Sequence, residues 1–180
     1  MTTVYLALGS NLGDRLANLR DAVARLAPEV RVAALSRVYE TAPMYVTDQP
    51  AFLNMALRAD TDLAPEALLA HAKRIEAELG RKTGGVRFGP REVDVDILLY
   101  GDTVVTTPAL EIPHPRMAER AFVLAPLADV AADARHPVLG RTVADLLAAV
   151  PGADTVVATT LTLTPTLAPD AGPDSGLTLG

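Results

Sequence analysis

Hydrophobic positions along the chain alternate between two periods. Residues 3–8 form a short apolar run rich in strand formers that stops at Gly9, Ser10 and Asn11, residues that favour turns, and this predicts a first strand. Leu12, Leu16, Leu19, Val23 and Leu26 then recur at helical spacing, with Asn11 or Asp14 as N-cap and Pro28 closing the helix. Residues 30–39 alternate loosely and predict a second strand. A proline-rich loop leads to a third strand over 51–57, on which Phe52, Asn54 and Ala56 share one face while Leu53, Met55 and Leu57 enter the core. The clearest helix spans 65–79, where Pro65 suits the first turn, Leu68, Leu69, Ala72, Ile75 and Leu79 form an apolar stripe, and Gly80 stops it.

A fourth strand follows over 93–100, and Gly101-Asp102 turns the chain into Val104-Val105, read as its hairpin partner. Residues 117–132 look helical, with Pro126 expected to break or restart the helix, and 143–150 predict a last short one. Residues 1–151 are read as one domain, 152–163 as an edge strand, and 164–180, with prolines and glycines that fit no period, as a disordered tail. The order strand, helix, strand, strand, helix, strand is the split βαβ pattern. It predicts an α+β, ferredoxin-like αβα arrangement, a mainly antiparallel sheet covered by helices.

Composition narrows the function. Net charge is −6 over 180 residues, against a nucleic-acid surface or an anionic membrane, both of which need a broad basic patch. The absence of cysteine removes disulfides and thiolate metal sites, and the N-terminus lacks the basic and long apolar parts of a signal or span. A cytoplasmic protein is expected. Locally the charge reverses, since residues 73–91 hold six basic side chains against Glu76 and Glu78.

That basic stretch runs straight into the fourth strand, where Asp94 and Asp96 lie on one face and Val93, Val95 and Ile97 on the other. Two carboxylates one strand repeat apart, roughly 6–7 Å between Cα atoms, can grip a hard cation. Arg81, Lys82, Arg87 and Arg91 just before them suit phosphate oxygens, because guanidinium pairs bidentately with them and does not deprotonate. Together they predict a Mg²⁺-polyphosphate site. GSNLGDR at residues 9–15 lacks the spacing of known phosphate loops and is read as a structural turn. Asn54 beside Phe52 suits a flat heterocycle, by pairing and stacking, and equally suits a partly buried amide capping a turn. His71 and His136 are assigned to solvent-facing positions, and His114 sits between two prolines in a rigid loop.

GPREVDVDILLYGD with IPHPRMAERAFVLAPL resembles the signature of the 6-hydroxymethyl-7,8-dihydropterin pyrophosphokinases of folate biosynthesis, and VYLALGSNLGDR, YETAPM, DQPAFLN and RIEAELGR extend the likeness over nearly all the chain except the tail. The resemblance implies a ferredoxin-like fold and transfer of diphosphate from ATP to a pterin alcohol. It implies two Mg²⁺ ions on Asp94 and Asp96, with Arg81 and Arg91 assisting transfer. Lys73, Glu76, Arg87, Ile97, His114 and Arg120 would contact ATP, and Thr41, Ala42, Met44, Phe52, Asn54, Phe88 and Phe122 would form the pterin pocket. Phe88 and Phe52 stand where many relatives have Trp and Tyr, and Thr83 and Ala109 where relatives often carry Arg. Two other readings are weaker: a nucleotidyltransferase, whose serine and aspartates lie much closer in sequence, and a non-catalytic ferredoxin-like domain, which has no use for paired aspartates beside basic residues. The loops over 41–50 and 80–89 are expected to close over the substrates.

Overall fold

Leu6 and Leu8 are buried against one layer of helices, and Tyr5 and Ala7, which alternate with them, turn to another, so the strand that carries them lies inside a three-layer sandwich. The computed structural model describes residues 1–42, 48–80 and 92–164. In chain order its elements are β1 (Thr2–Ser10), α1 (Arg15–Leu26), β2 (Val30–Leu35), β3 (Tyr39–Thr41), β4 (Phe52–Thr61), α2 (Pro65–Glu78) and β5 (Asp94–Tyr100). There follow β6 (Val105–Thr106), β7 (Glu111–Ile112), a 3-10 turn at Met117–Glu119, α3 (Ala121–Ala131), α4 (Val143–Ala149), a second 3-10 turn at Ala153–Thr155, and β8 (Val157–Ala158). The sheet order is β5-β1-β4-β3-β8 with β2 also on β4, and these pairings are antiparallel. The α+β, ferredoxin-like arrangement expected from the element order is what the chain adopts.

The helices α1 and α2 have an identifiable start or stop. Asp14 caps α1 by accepting from the Ala17 amide at 3.1 Å, and Leu19, Ala22 and Leu26 are its buried stripe. Gly80 follows α2 at φ +99°, a conformation glycine adopts without strain. α1 and α2 cover the face reached by Val4, Leu6, Leu53, Met55, Leu57, Val95 and Ile97. α3 and α4 cover the face reached by Ala56, Leu98 and Leu99.

Several expectations are corrected. The second predicted strand is two, because Ser36 interrupts it: its amide donates to the Ala56 carbonyl at 2.9 Å and its hydroxyl accepts from the Ala56 amide at 2.8 Å, standing in for a ladder residue while the chain shifts register. Val105 pairs not with β5 but with Ile112, in a separate two-stranded sheet. Pro126 lies inside α3 and is buried, so the helix tolerates the missing amide where its ring adds to the packed face. His71 is 5% exposed rather than solvated. The Arg74 guanidinium meets its Nδ1 at 2.7 Å and its Nε2 meets the Leu26 carbonyl at 3.1 Å, so the ring closes the end of α1 with its proton on Nε2. His136 is likewise buried, and its Nδ1 accepts from the Val138 and Leu139 amides.

A charged clasp joins the layers beside β3. Asp129 of α3 accepts from Arg37 Nε and Nη2 at 3.1 and 3.0 Å and from the Tyr39 hydroxyl at about 3 Å. Burial and the Asp129 carboxylate push the Tyr39 hydroxyl up to about 12. β8 pairs with β3 through Tyr39↔Ala158 and Glu40↔Val157, at the sheet edge opposite β5. The tail beyond residue 164 lies outside the described residues.

Candidate active site

The α3 side of the sheet is not covered along its whole length, and the uncovered end is where the polar side chains gather. β1 is flanked by β5 and β4, with Gly9 opposite both Asp94 and Asn54, and Ala7 opposite Asp96 and Ala56. Directly opposed side chains lie about 5 Å apart. Small residues on the central strand therefore leave a floor, walled on one side by the two carboxylates and on the other by Phe52 and Asn54. A pocket occupies this space, lined further by Thr41, Ala42, Gln49, Arg120 and Phe122.

Gly9, which its sequence neighbours assign to a turn, lies within β1, and its lack of a side chain is needed: a Cβ there would come within 2.9 Å of Asn54 Oδ1. The Asn54 amide is itself fixed, donating through Nδ2 to Thr41 Oγ1 at 2.5 Å, so its Oδ1 is left on the pocket side. The sequence signal for this floor is the alternation of large Leu6 and Leu8 with small Ala7 and Gly9. The turn beyond is structural, as its sequence implies. Asn11 is buried and donates to Gln49 Oε1 and the Pro50 carbonyl, which anchors the chain entering β4, and Asn18 donates to Ser10 Oγ.

At the start of α3, the Arg120 guanidinium lies 5.5 Å over the Phe122 ring, which brings a cation and an aromatic face to the pocket wall opposite the sheet. Asp94 and Asp96 are both half-buried on the same face of β5, as period-2 reasoning requires. Burial, then the charges of Asp94 and Glu76, push the Asp96 carboxyl up to about 6.

Behind the same strand edge lies a second cleft, lined by Lys73, Asp96, Ile97, Leu110 and His114 among others. His114 is positioned by its own backbone, the amide donating to the Leu98 carbonyl at 3.0 Å, and its Nδ1 accepts from the Arg116 amide at 3.2 Å. Burial, with Arg120 and Arg116 nearby, lowers it to about 4. The ring is therefore neutral at pH 7 with its proton on Nε2, a donor suited to a phosphate or sugar oxygen. Lys73 keeps half its side chain in solvent with Nζ 3.6 Å from Glu76 Oε2. Glu76 is only 1% exposed, and its Oε1 accepts from the Val95 amide at 3.0 Å.

The described site residues thus divide into Thr41, Ala42, Phe52, Asn54, Asp94, Arg120 and Phe122 at the first pocket and Lys73, Ile97 and His114 at the second, with Asp96 lining both and Glu76 buried and lining neither. Met44, Arg81, Arg87, Phe88 and Arg91 lie outside the described residues, as do most of the two loops expected to close. Among the described residues no group of three or more His, Cys, Asp or Glu is placed to hold a metal. Two carboxylates do fit Mg²⁺, which keeps several waters and takes one or two carboxylates plus substrate phosphate oxygens.

Residues 5–132 match the family model described as 7,8-dihydro-6-hydroxymethylpterin-pyrophosphokinase. The chain is 52% identical over 128 residues to the 2-amino-4-hydroxy-6-hydroxymethyldihydropteridine pyrophosphokinase of Bacillus subtilis, covering 70% of this chain and 76% of the relative. It is 42% identical over 138 residues to the protein of the same name from Aquifex aeolicus, covering 77% and 86%. A folate synthesis bifunctional protein of Pisum sativum, described as mitochondrial, is 52% identical over 128 residues, and there the chain spans 71% of itself but only 25% of the relative. In fold it is similar to the Plasmodium falciparum HPPK-DHPS crystal structure with pteroate, at a TM-score of 0.67 and 17% identity, over 82% of this chain and 42% of that one.

Proposed function

This chain belongs to the 7,8-dihydro-6-hydroxymethylpterin-pyrophosphokinase family, and from that premise we propose that it transfers diphosphate from ATP to the hydroxymethyl group of 6-hydroxymethyl-7,8-dihydropterin. The observation that carries the proposal is the position of Asp96, on the wall common to two clefts of different character. One cleft has an aromatic and amide lining suited to a flat heterocycle; the other has Lys73 and neutral His114, suited to a nucleotide. A phosphate chain running between them would pass the carboxylates.

In the reaction the pterin hydroxyl oxygen attacks the β-phosphorus of ATP in line, the bond from that phosphorus to the α,β-bridging oxygen breaks, AMP leaves, and the hydroxyl proton passes to solvent. Asp94 and Asp96 would hold Mg²⁺, two ions by family resemblance, which when bound would polarise the phosphate oxygens and offset their charge. Phe52 and Phe122 would stack on the pterin, and Asn54 Oδ1 would accept from its ring donors while Thr41 holds the amide in that orientation. His114 Nε2 and Lys73 would donate to ATP oxygens, and Arg120 would offset charge between the clefts. Arg81 and Arg91 are proposed to assist transfer, Arg87 to bind ATP, and Met44 and Phe88 to complete the pterin pocket. No helix among the described residues is long and apolar enough to cross a membrane, and a cytoplasmic enzyme working as a monomer is proposed.

Protein, ATP and the pterin alcohol with magnesium should yield AMP and the pterin diphosphate. Release of ADP alone would sink the proposal, and pyrophosphate with AMP attached to the acceptor would point to a nucleotidyltransferase. Binding of neither substrate would leave a non-catalytic domain. The pterin pocket has its own check: Gly9→Ala should raise the pterin KM by about tenfold, ~1.4 kcal/mol of lost binding, with the ATP KM unchanged, because the added methyl displaces the Asn54 amide. An unchanged pterin KM would remove Asn54 from the pocket.

A further inference from the structure

Glu76 lies on the buried stripe of α2, one turn beyond Ala72, where an apolar residue would be expected to pack. Taking a carboxylate out of water costs several kcal/mol unless hydrogen bonds and charges offset it, and Glu76 is 1% exposed. Each of its oxygens meets a different element of the site. Oε1 accepts from the Val95 amide at 3.0 Å and Oε2 lies 3.6 Å from Lys73 Nζ.

Val95 is the residue between Asp94 and Asp96, on a strand that, among the described residues, ends the sheet with β1 as its neighbour on one side only. Backbone amides that point away from β1 there have no strand to bind, and a buried amide without an acceptor is costly. Glu76 supplies that acceptor from a helix. By fixing the peptide plane at Val95 it also fixes the direction in which the flanking Cβ atoms leave the strand, and these carry the two carboxylates. Its second oxygen reaches the ammonium group that lines the adjoining cleft.

We propose that Glu76 is a positioning residue, not a contact to the nucleotide: it holds Val95 so that Asp94 and Asp96 face the same space, and it holds Lys73 toward the neighbouring cleft, so one buried carboxylate sets the spacing of both. The proposal rests on the diphosphate-transfer reading for its kinetic consequences but not for its structural one. Glu76→Gln keeps an oxygen acceptor for Val95 and loses the charge beside Lys73. Glu76→Met keeps the volume and loses both.

The test is amide exchange at Val95 in the metal-free protein, followed by turnover against magnesium concentration. Glu76→Met should speed Val95 exchange by at least about tenfold relative to core amides such as Leu57, raise the magnesium midpoint and lower kcat by about 10–100-fold, and leave the pterin KM within about threefold. Glu76→Gln should retain Val95 protection and move the magnesium midpoint by less than Glu76→Met does, since it removes only a charge near Asp96, while the ATP KM rises. Wild-type magnesium midpoint and Val95 exchange in Glu76→Met would overturn the proposal, as would Glu76→Gln and Glu76→Met being equally defective in the magnesium midpoint. If Glu76→Met does not fold, Glu76→Gln decides alone, its loss of Val95 protection overturning the proposal and its retention with a raised ATP KM supporting it. A wild-type protein that makes no AMP would refute the reaction, while Val95 exchange would still report on the positioning.

Discussion

Asp96→Asn should lower turnover by about 10²–10³-fold, ~3–4 kcal/mol of barrier, and at the same time make the metal-free protein more stable. Both effects come from one property of the carboxylate: it sits half-buried beside Asp94 with Glu76 near, and those surroundings push it up to about 6 from an ordinary 3.8. In the folded protein the group holds its proton through a pH window in which the unfolded chain has released it. Its contribution to stability is therefore fully present below about 3.8 and is lost as pH rises through about 6. At pH 7 the native state carries the whole burden of an unwelcome charge, which after allowance for its partial exposure amounts to about 1–2 kcal/mol. Thermal unfolding without divalent ions should find Asp96→Asn and the parent nearly equal at pH 4 and separated by several degrees at pH 7. A gap that does not widen with pH, or near-parental turnover at millimolar magnesium, would count against this account of the site.

Leu6→Ala should have the opposite profile, costing about 3–4 kcal/mol of stability and leaving the turnover of folded molecules within about threefold. Leu6 is fully buried on β1, with Leu57 and Ile97 as its neighbours on the flanking strands, and it faces the layer of α1 and α2. Truncation leaves a cavity at the centre of the sheet that rigid strands on both sides cannot close. Against the 5–15 kcal/mol typical of a domain this is a large share. The next residue, Ala7, lines the pocket on the other face, so the two surfaces of one strand separate stability from chemistry. Urea unfolding measures the first quantity and activity at low temperature the second. A loss below about 1 kcal/mol would mean that the α1-α2 layer repacks freely. Turnover falling with stability would mean that the faces are coupled.

The contrast between Asp96 and Leu6 is legible in the amino-acid sequence, because strand geometry sends alternate side chains to opposite faces whatever the strand's neighbours are. The same alternation assigns Leu53, Met55 and Leu57 to one face and Phe52, Asn54 and Ala56 to the other, and the folded chain places them so. Helix signals are equally local: Asp14, Pro65 and Gly80 act within a turn of the residues they cap, start or stop. Local reasoning fails where residue type stands against period. His71 and Glu76 occupy the buried stripe of α2 by spacing, yet as titratable residues they read as solvent-facing or ligand-binding, since their acceptor and donor, the Leu26 carbonyl and the Val95 amide, are 45 and 19 residues away.

Gly9 reads wrongly from its neighbours for a related reason. A glycine next to Ser and Asn is a turn residue on local statistics, and its use inside a strand is apparent only once Asn54 is brought opposite it by the β1-β4 register. Ser36 can substitute for a ladder residue only because Ala56 offers it both backbone groups, and Val105 finds Ile112 rather than β5 because the 107–112 stretch returns the chain to it. Elements, strand faces and the pairing of two aspartates on one of those faces follow from the chain's own residue order, since each depends on covalent geometry and neighbours a few residues away. Which strand lies beside which, and so the meeting of Asp96 with two clefts, of Gly9 with Asn54 and of Glu76 with Val95, is settled by the assembled sheet alone, because those contacts come from burying both of its faces at once and no short-range preference encodes them.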